Sequence, residues 1–252
     1  MSKSAQRSVS DMSKLNQCKI FELRVSDINP QFLIKFLQKA VVNDKNKPLH
    51  IITLNPEMVV ESRKNKKFKN IIKNAGLIIP DGIGIVWAAR ILQNKKLSRF
   101  SGTDIAKIIL DGPKGTKAFL FGGQPGVAER IEEKWGSSVA GIFPGYGADD
   151  KKVIEKINNT NANILLVGLG SPKQEIWINE NLSKLKHIKV AIGVGGAFDF
   201  LSGETKRAPR WIRKIGLEWL WRLILDPKRA KRIFRATVVF PWLVLKEKLK
   251  TS

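Results

Sequence analysis

The sequence predicts an α/β fold, a Rossmann-like and mostly parallel sheet flanked by helices, followed by a basic, amphipathic, helical C-terminal appendage. Three observations carry this reading. Short β-rich apolar runs alternate along the chain with helix-like stretches, a pattern that produces parallel strands whose crossover helices cover both faces of the sheet. Most of those runs end in Gly, Pro or Asn, residues that turn a strand into a helix within a few positions. Residues 206–250 carry fourteen Lys and Arg against three acids, a surplus of +11 in a chain of formal net charge +23.

In chain order the strands are expected at KIFEL (19–23), LHIITL (49–54), GLIIP (76–80), KAFLFGG (117–123), VAGIF (139–143), NILLVGLG (163–170) and KVAIGVGG (189–196). Each is short, apolar and rich in β-formers, as a strand buried on both faces should be. Between them PQFLIKFLQKAVV (30–42), GIGIVWAARIL (82–92), TDIAKIIL (103–110), PGVAERIEEKW (125–135) and PKQEIWINENL (172–182) read as helices. No internal repeat is evident. At 252 residues the chain is long enough for a large buried core. Residues 1–17 are expected to be disordered, 18–205 to form the α/β core and 206–252 the appendage. The first twenty residues are polar and lack the apolar stretch of a secretory signal. Cys18, the one cysteine, forms no internal disulfide, which suits the cytosol or the cytosolic face of a membrane.

The tail interleaves its cations with Trp211, Trp219, Trp221 and Trp242. Trp at the headgroup level and Lys/Arg against phosphate are the composition of a segment lying on an anionic membrane. Within 211–224, Ile212, Ile215, Trp219, Leu220, Leu223 and Ile224 keep helical spacing beside Arg210, Arg213 and Lys214, so one amphipathic helix is expected; an ordinary helix packed on the core is the alternative. The apolar stretch Ala236 to Leu245 is about ten residues long and interrupted by Pro241, where a spanning helix needs about twenty. A peripheral location on the cytosolic face of a membrane is expected. Residues 228–252 are the expected membrane contact, and their removal is expected to leave a folded protein. The same charge suits nucleic acid, but no zinc-finger spacing or RNP-type motif accompanies it.

Five motifs fall at carboxyl ends of expected strands, where ligands bind in open α/β sheets: TLNPE (53–57), PDGIG (80–84), FGGQPG (121–126), GLGSPKQE (168–175) and GVGGAFDFLSG (193–203). Each has a plain reading as a tight strand-to-helix turn. Together they suggest a phosphate-bearing ligand held by backbone N–H groups, with Gly122, Gly123, Gly168, Gly170, Lys173, Gly195 and Gly196 as candidates for binding it. Asp199 and Ser202 stand near the last of these turns. Neither FGGQPG nor GLGSPKQE completes G-x-G-x-x-G, and VAGIF ends without an acid for an adenosine ribose, which disfavours a nicotinamide enzyme. Asp81 reads either as the N-cap of the following helix or as a general base on the rim, with Thr53 and Asn55 placed to bind a sugar or orient it. His50 and His187 lie far apart, and no D-x-D triplet occurs. Neither a metal nor an organic cofactor is therefore expected, and diphosphate charge would fall to Arg, Lys and backbone donors.

TLNPEMVV, PDGIGIVWAAR, SGTD, FLFGGQPGVAE, LLVGLGSPKQEIWI, GVGGAFDFLSGETKRAPRW and GLEWLWRL, in order over about residues 50–235, resemble the WecG/TagA/CpsF family of bacterial glycosyltransferases. The resemblance implies transfer of N-acetylmannosamine or a related sugar, with inversion, from a UDP-sugar to an undecaprenyl-diphosphate-linked saccharide. The product would feed teichoic acid or other surface polysaccharide synthesis. It places the catalytic carboxylate on Asp81, its polar companions on Thr53, Asn55, Arg99 and Gln174, and diphosphate-binding arginines of the appendage on Arg222, Arg229 and Arg232. Members of the family associate with one another, so a homo-oligomer is compatible with the resemblance, which leaves the oligomeric state of this chain open. A basic nonenzymatic protein that binds nucleic acid or an acidic polymer is the competing class.

Overall fold

The computed structural model describes residues 15–42, 47–145, 147 and 149–251. The disorder expected over 1–17 concerns residues that, through 14, lie outside the described ones.

Two strands open the fold where the sequence suggests one. β1 (Gln17–Ile20) and β2 (Leu23–Ser26) form a separate antiparallel hairpin. KIFEL is cut in its middle because the chain reverses at Phe21, whose φ of 53° lies in the left-handed region. An aromatic residue is no turn signal. Tertiary contacts accompany the reversal: the Phe21 ring meets Phe240 edge-on at 6.5 Å between centroids and carries the Arg63 guanidinium 5.3 Å from its centre.

α1 (Pro30–Val42) leads into a six-stranded, wholly parallel sheet of β3 (Leu49–Leu54), β4 (Leu77–Pro80), β5 (Ala118–Gly122), β6 (Val139–Phe143), β7 (Ile164–Gly168) and β8 (Val190–Gly193), in the order β4-β3-β8-β7-β5-β6. Each lies inside or coincides with its expected run. The connecting helices are α2 (Pro56–Ser62), α3 (Lys66–Lys73), α4 (Ile83–Gln93), α5 (Gly102–Leu110), α6 (Val127–Trp135), α7 (Asp150–Asn158), α8 (Lys173–Asn181) and α9 (Ala197–Leu201). α2 and α3, not anticipated, start where asparagines cap them: Asn55 Oδ1 accepts from Met58 N at 3.0 Å, with Pro56 in the first turn, and Asn65 Oδ1 accepts from Phe68 N at 2.9 Å. Asp149 likewise caps α7.

The sheet is buried on both sides, which is why its strands are continuously apolar. Ile51, Ile79, Leu120, Leu166 and Ile192 pack with α1, α5 and α6 on one side. On the other, Ile52, Leu54 and Ile78 pack with the hairpin and with α2, α3 and α4, while Phe119, Leu165 and Val167 pack with α7 and α8.

The C-terminal segment differs from expectation twice. Instead of one helix over 211–224 there are two, α10 (Arg210–Lys214) and α11 (Glu218–Leu225). The break is at Gly216, with φ of +80°, where an added Cβ would stand 3.1 Å from the Ile83 side chain. After α12 (Ala230–Phe234) comes a π-helical turn (Arg235–Val239) and then α13 (Phe240–Thr251). The widened turn stands just ahead of Pro241, which lacks an N–H and whose ring would crowd the carbonyl four residues back in a regular helix. Phe240 and Val244 are fully buried in the same cluster as the hairpin, β3 and β4. Phe240 and Val244 therefore complete a core face, and removing the segment that carries them would open that face to water.

Elsewhere the segment wears its apolar side outward. Trp211, Ile215, Ile224, Phe234, Trp242, Leu245 and Leu249 are all exposed, and the buried residue of α11 is its acid, Glu218.

Candidate active site

Parallel register pairs Leu54 with Pro80, so β3 and β4 end together and deliver Asn55 and Asp81 to one rim. Asp81 N donates to Leu54 O at 2.7 Å. Asp81 does not cap α4: the capping position is Gly82, which makes no side-chain cap bond. Its carboxylate instead meets the backbone N–H of Gly102, the first residue of α5. Burial lifts the Asp81 pKa to about 6; Arg222 and Arg99 oppose the rise, and Glu218 adds to it. Such a group is mostly ionised at neutral pH and basic enough to take a proton.

A cavity with two chambers opens over this rim. The larger, of about 490 Å³, is lined by Ile83, Trp87, Trp219, Ile233 and Pro241 together with Glu57, Arg99 and Glu218. The smaller, of about 150 Å³, is lined by Thr53, Gly102, Thr103, Gly170, Ser171, Gln174, Gly195, Gly196 and Asp199. Asn55, Asp81, Arg222, Arg229 and Arg232 line both. One chamber is thus largely apolar, the other polar, and the carboxylate and three arginines stand where they meet.

The polar chamber is held together by a buried amide. Gln174 Oε1 accepts from Gly170 N at 3.1 Å and from Gly195 N at 2.9 Å, joining the turns that follow β7 and β8. Gln174 Nε2 donates to Glu175 Oε1 at 2.7 Å. Glu175 is 1% exposed, and burial raises its pKa against the hydrogen bonds it accepts from Gln174 and Ser171. Thr53 Oγ1 donates to Gly193 O at 3.2 Å, tying β3 to β8 at the same end. Burial also raises the pKa of Asp199, against the pull of Arg229.

Each rim arginine already has an acid. Arg232 grips Glu57 with two bonds, Nε at 2.5 Å and Nη2 at 3.0 Å, Arg229 Nε lies 2.9 Å from Asp226, and Arg222 Nη2 lies 3.4 Å from Glu218 while its guanidinium covers the Phe200 ring. Arg99 Nη2 donates to Glu218 at 2.9 Å.

Eleven of the fifteen residues singled out in the sequence therefore line this one cavity: Thr53, Asn55, Asp81, Arg99, Gly170, Gln174, Gly195, Gly196, Arg222, Arg229 and Arg232. Gly122, Gly123, Gly168 and Lys173 are not among the residues that line either chamber. Gly122 and Gly168 are where β5 and β7 pass closely, since a Cβ on Gly122 would stand 2.9 Å from the Gly168 carbonyl carbon, and one on Gly168 would stand 2.6 Å from the Phe198 ring. Gly123 packs near the same ring, and Lys173 is exposed. Sequence reasoning passed over Glu57, Glu218, Glu175 and Trp87. None of them was a turn residue in its motif, and only the fold brings Glu57, Trp87 and Glu218 to the rim and Glu175 against Gln174; the lone acid in GLEWLWRL was the available hint.

The chain matches the model of the glycosyl transferase WecG/TagA/CpsF family over residues 18–252. It is 36% identical over 207 residues, 79% of this chain and 80% of the relative, to the N-acetylglucosaminyldiphosphoundecaprenol N-acetyl-beta-D-mannosaminyltransferase of Bacillus subtilis (strain 168). The protein of the same name from Bacillus spizizenii (strain ATCC 23059 / NRRL B-14472 / W23) is 34% identical over 200 residues, 75% of this chain and 76% of that protein. The chain belongs to the WecG/TagA/CpsF family of glycosyltransferases.

Proposed function

With membership of the WecG/TagA/CpsF glycosyltransferase family as the premise, we propose that this protein transfers N-acetylmannosamine from a UDP-linked donor to N-acetylglucosaminyl diphosphoundecaprenol, with inversion at the anomeric carbon. The acceptor follows the name shared by the two Bacillus relatives. The observation that carries the reading is the place of Asp81 on the wall common to a polar and an apolar chamber. The polar chamber, with its glycine turns and backbone donors, suits the nucleotide diphosphate. The apolar chamber, walled by Trp87, Trp219 and Ile233, suits the first isoprene units and linked sugar of the acceptor.

In this reading the Asp81 carboxylate takes the proton of the acceptor sugar hydroxyl as that oxygen bonds to the anomeric carbon. The bond from that carbon to the β-phosphate oxygen breaks, and UDP leaves with the electron pair. Arg222, Arg229 and Arg232 meet the charge growing on the diphosphate, Arg229 and Arg232 exchanging their present carboxylate partners for phosphate oxygens. Thr53, Asn55 and Gln174 act by holding the strand ends and glycine turns in place.

The protein works at a membrane surface. No helix among the described residues is long and apolar enough to cross one. Exposed Trp211, Ile224, Phe234, Trp242 and Leu249 on a segment of surplus positive charge support docking on anionic lipid, beside the mouth through which a lipid-linked acceptor would enter. A transfer assay with a panel of UDP-sugars against a short-chain polyprenyl-diphosphate-linked GlcNAc tests the whole. Transfer from UDP-N-acetylmannosamine is the expected result, and transfer from another UDP-sugar alone would refute the donor.

A further inference from the structure

Glu218 is out of place in the segment that carries it. It opens α11, where Leu220, Ile224 and Leu225 are exposed, yet Glu218 is only 8% exposed. A buried carboxylate persists when it is paired, and here three guanidiniums from three separate parts of the chain surround it. Arg99 Nη2, from the loop before α5, lies 2.9 Å from Oε2; Arg222 Nη2, one turn along α11, lies 3.4 Å from Oε1; Arg207 Nε, from the loop before α10, lies 3.7 Å from Oε1. Arg207 also donates to Asp104 at 2.7 Å and to Ser101 at 3.0 Å, the capping residue of α5, whose first N–H meets Asp81. Glu218, Asp81, Arg99 and Arg222 line the same chamber.

We infer that Glu218 is a positioning residue of the transfer reaction: it gathers Arg99, Arg207 and Arg222 about the strand-end carboxylate and so couples the C-terminal segment to the chemistry. The inference rests on the reading of Asp81 as the base. Its physical content is twofold. Long arginine side chains lose freedom when a carboxylate holds them, so less is lost when a diphosphate arrives. The charges are also balanced around Asp81, which faces Arg222 and Glu218 from α11, Arg99 and the Gly102 N–H from the start of α5, and Arg207 from the loop before α10. Among these Glu218 is the one like charge, and it keeps Asp81 more basic than the arginines alone would leave it.

Glu218→Gln keeps the shape and removes the charge. The ¹³C titration of the Asp81 carboxyl, assigned by its disappearance in Asp81→Asn, should move to lower pH by about half a unit or more, and kcat/KM should fall about tenfold as the arginines loosen. Glu218→Asp keeps the charge but not the reach; it should titrate near the wild-type midpoint and turn over at a rate between the other two. An unmoved midpoint in folded Glu218→Gln, or a Glu218→Asp protein that titrates as Glu218→Gln does, overturns the inference. If Glu218→Gln does not fold, Glu218→Asp decides alone, and wild-type turnover in it is the overturning result. The midpoint is read without turnover, so an active Asp81→Asn enzyme would remove the base while leaving the role of Glu218 to be judged by its own measurement.

Discussion

Replacing Asp81 with Asn separates chemistry from stability because the two should move in opposite directions. With a pKa of about 6, the side chain is about nine-tenths ionised at pH 7, half at pH 6 and one-tenth at pH 5, so wild-type kcat/KM should fall about tenfold between pH 7 and pH 5. Asn cannot accept the proton, and turnover at pH 7.5 should drop about 10²-fold or more. The folded-state pKa lies above the ordinary carboxylate value, so the stability linked to this group is fully present below about pH 4 and is lost as pH rises through 6. Above that pH the wild type carries a desolvated charge that Asn does not. The variant should therefore be more stable at pH 7.5 by about 1–3 kcal/mol, taking ~1.4 kcal/mol per pKa unit and discounting for solvent at the chamber mouth, which is a rise of a few degrees in melting temperature. Single-turnover transfer to a soluble acceptor analogue, with thermal melts from pH 4 to 8, measures both. Near-wild-type turnover in a folded variant would reduce Asp81 to a structural residue, and a melting temperature below wild type at pH 7.5 would refute the desolvation argument.

Four further outcomes are expected. The described residues hold no group of three or more His, Cys, Asp or Glu able to bind a metal, so transfer should survive excess EDTA, and strict dependence on Mg²⁺ or Mn²⁺ would show the diphosphate site to be misread. Phe240→Ala, at a fully buried position, should cost about 3–5 kcal/mol, measured by urea unfolding; a loss below about 1 kcal/mol would mean α13 is not part of the core. Combined Ser substitutions at Trp242, Leu245 and Leu249, which are 58%, 50% and 81% exposed, should abolish flotation with anionic vesicles at an unchanged melting temperature; undiminished flotation would move the membrane contact elsewhere. Gly193→Ala would drive a Cβ to 2.4 Å from Gln174 Nε2 and 2.8 Å from Glu175 Oε1. It should weaken UDP binding about tenfold, the loss of one or two backbone bonds at the glycine turns, and unchanged calorimetric affinity would free Gln174 from that role.

Much of the architecture was readable residue by residue. Alternating apolar runs and helical stretches announced the parallel sheet, and TLNPE, PDG, SPKQE and GVGG announced its ligand-bearing rim, because turn chemistry and periodicity are local properties that few residues suffice to encode. The register between β3 and β4 then turned two separate motifs into neighbours, Asn55 beside Asp81. What remained out of reach depends on partners distant in the chain. Phe21 reverses direction with Phe240 and Arg63 against its ring. Gly122 and Gly168 look like phosphate-binding glycines in the sequence, and only the fold shows that two strands and Phe198 approach closely there. Glu218 reads as one acid in a basic helix until Arg99 and Arg207, more than one hundred and about ten residues earlier, close around it. Composition alone marks the C-terminal segment as cationic and aromatic. Whether Phe240 belongs to the core and Trp242, two residues on, to the surface is decided by which side of α13 packs against α2 and α4.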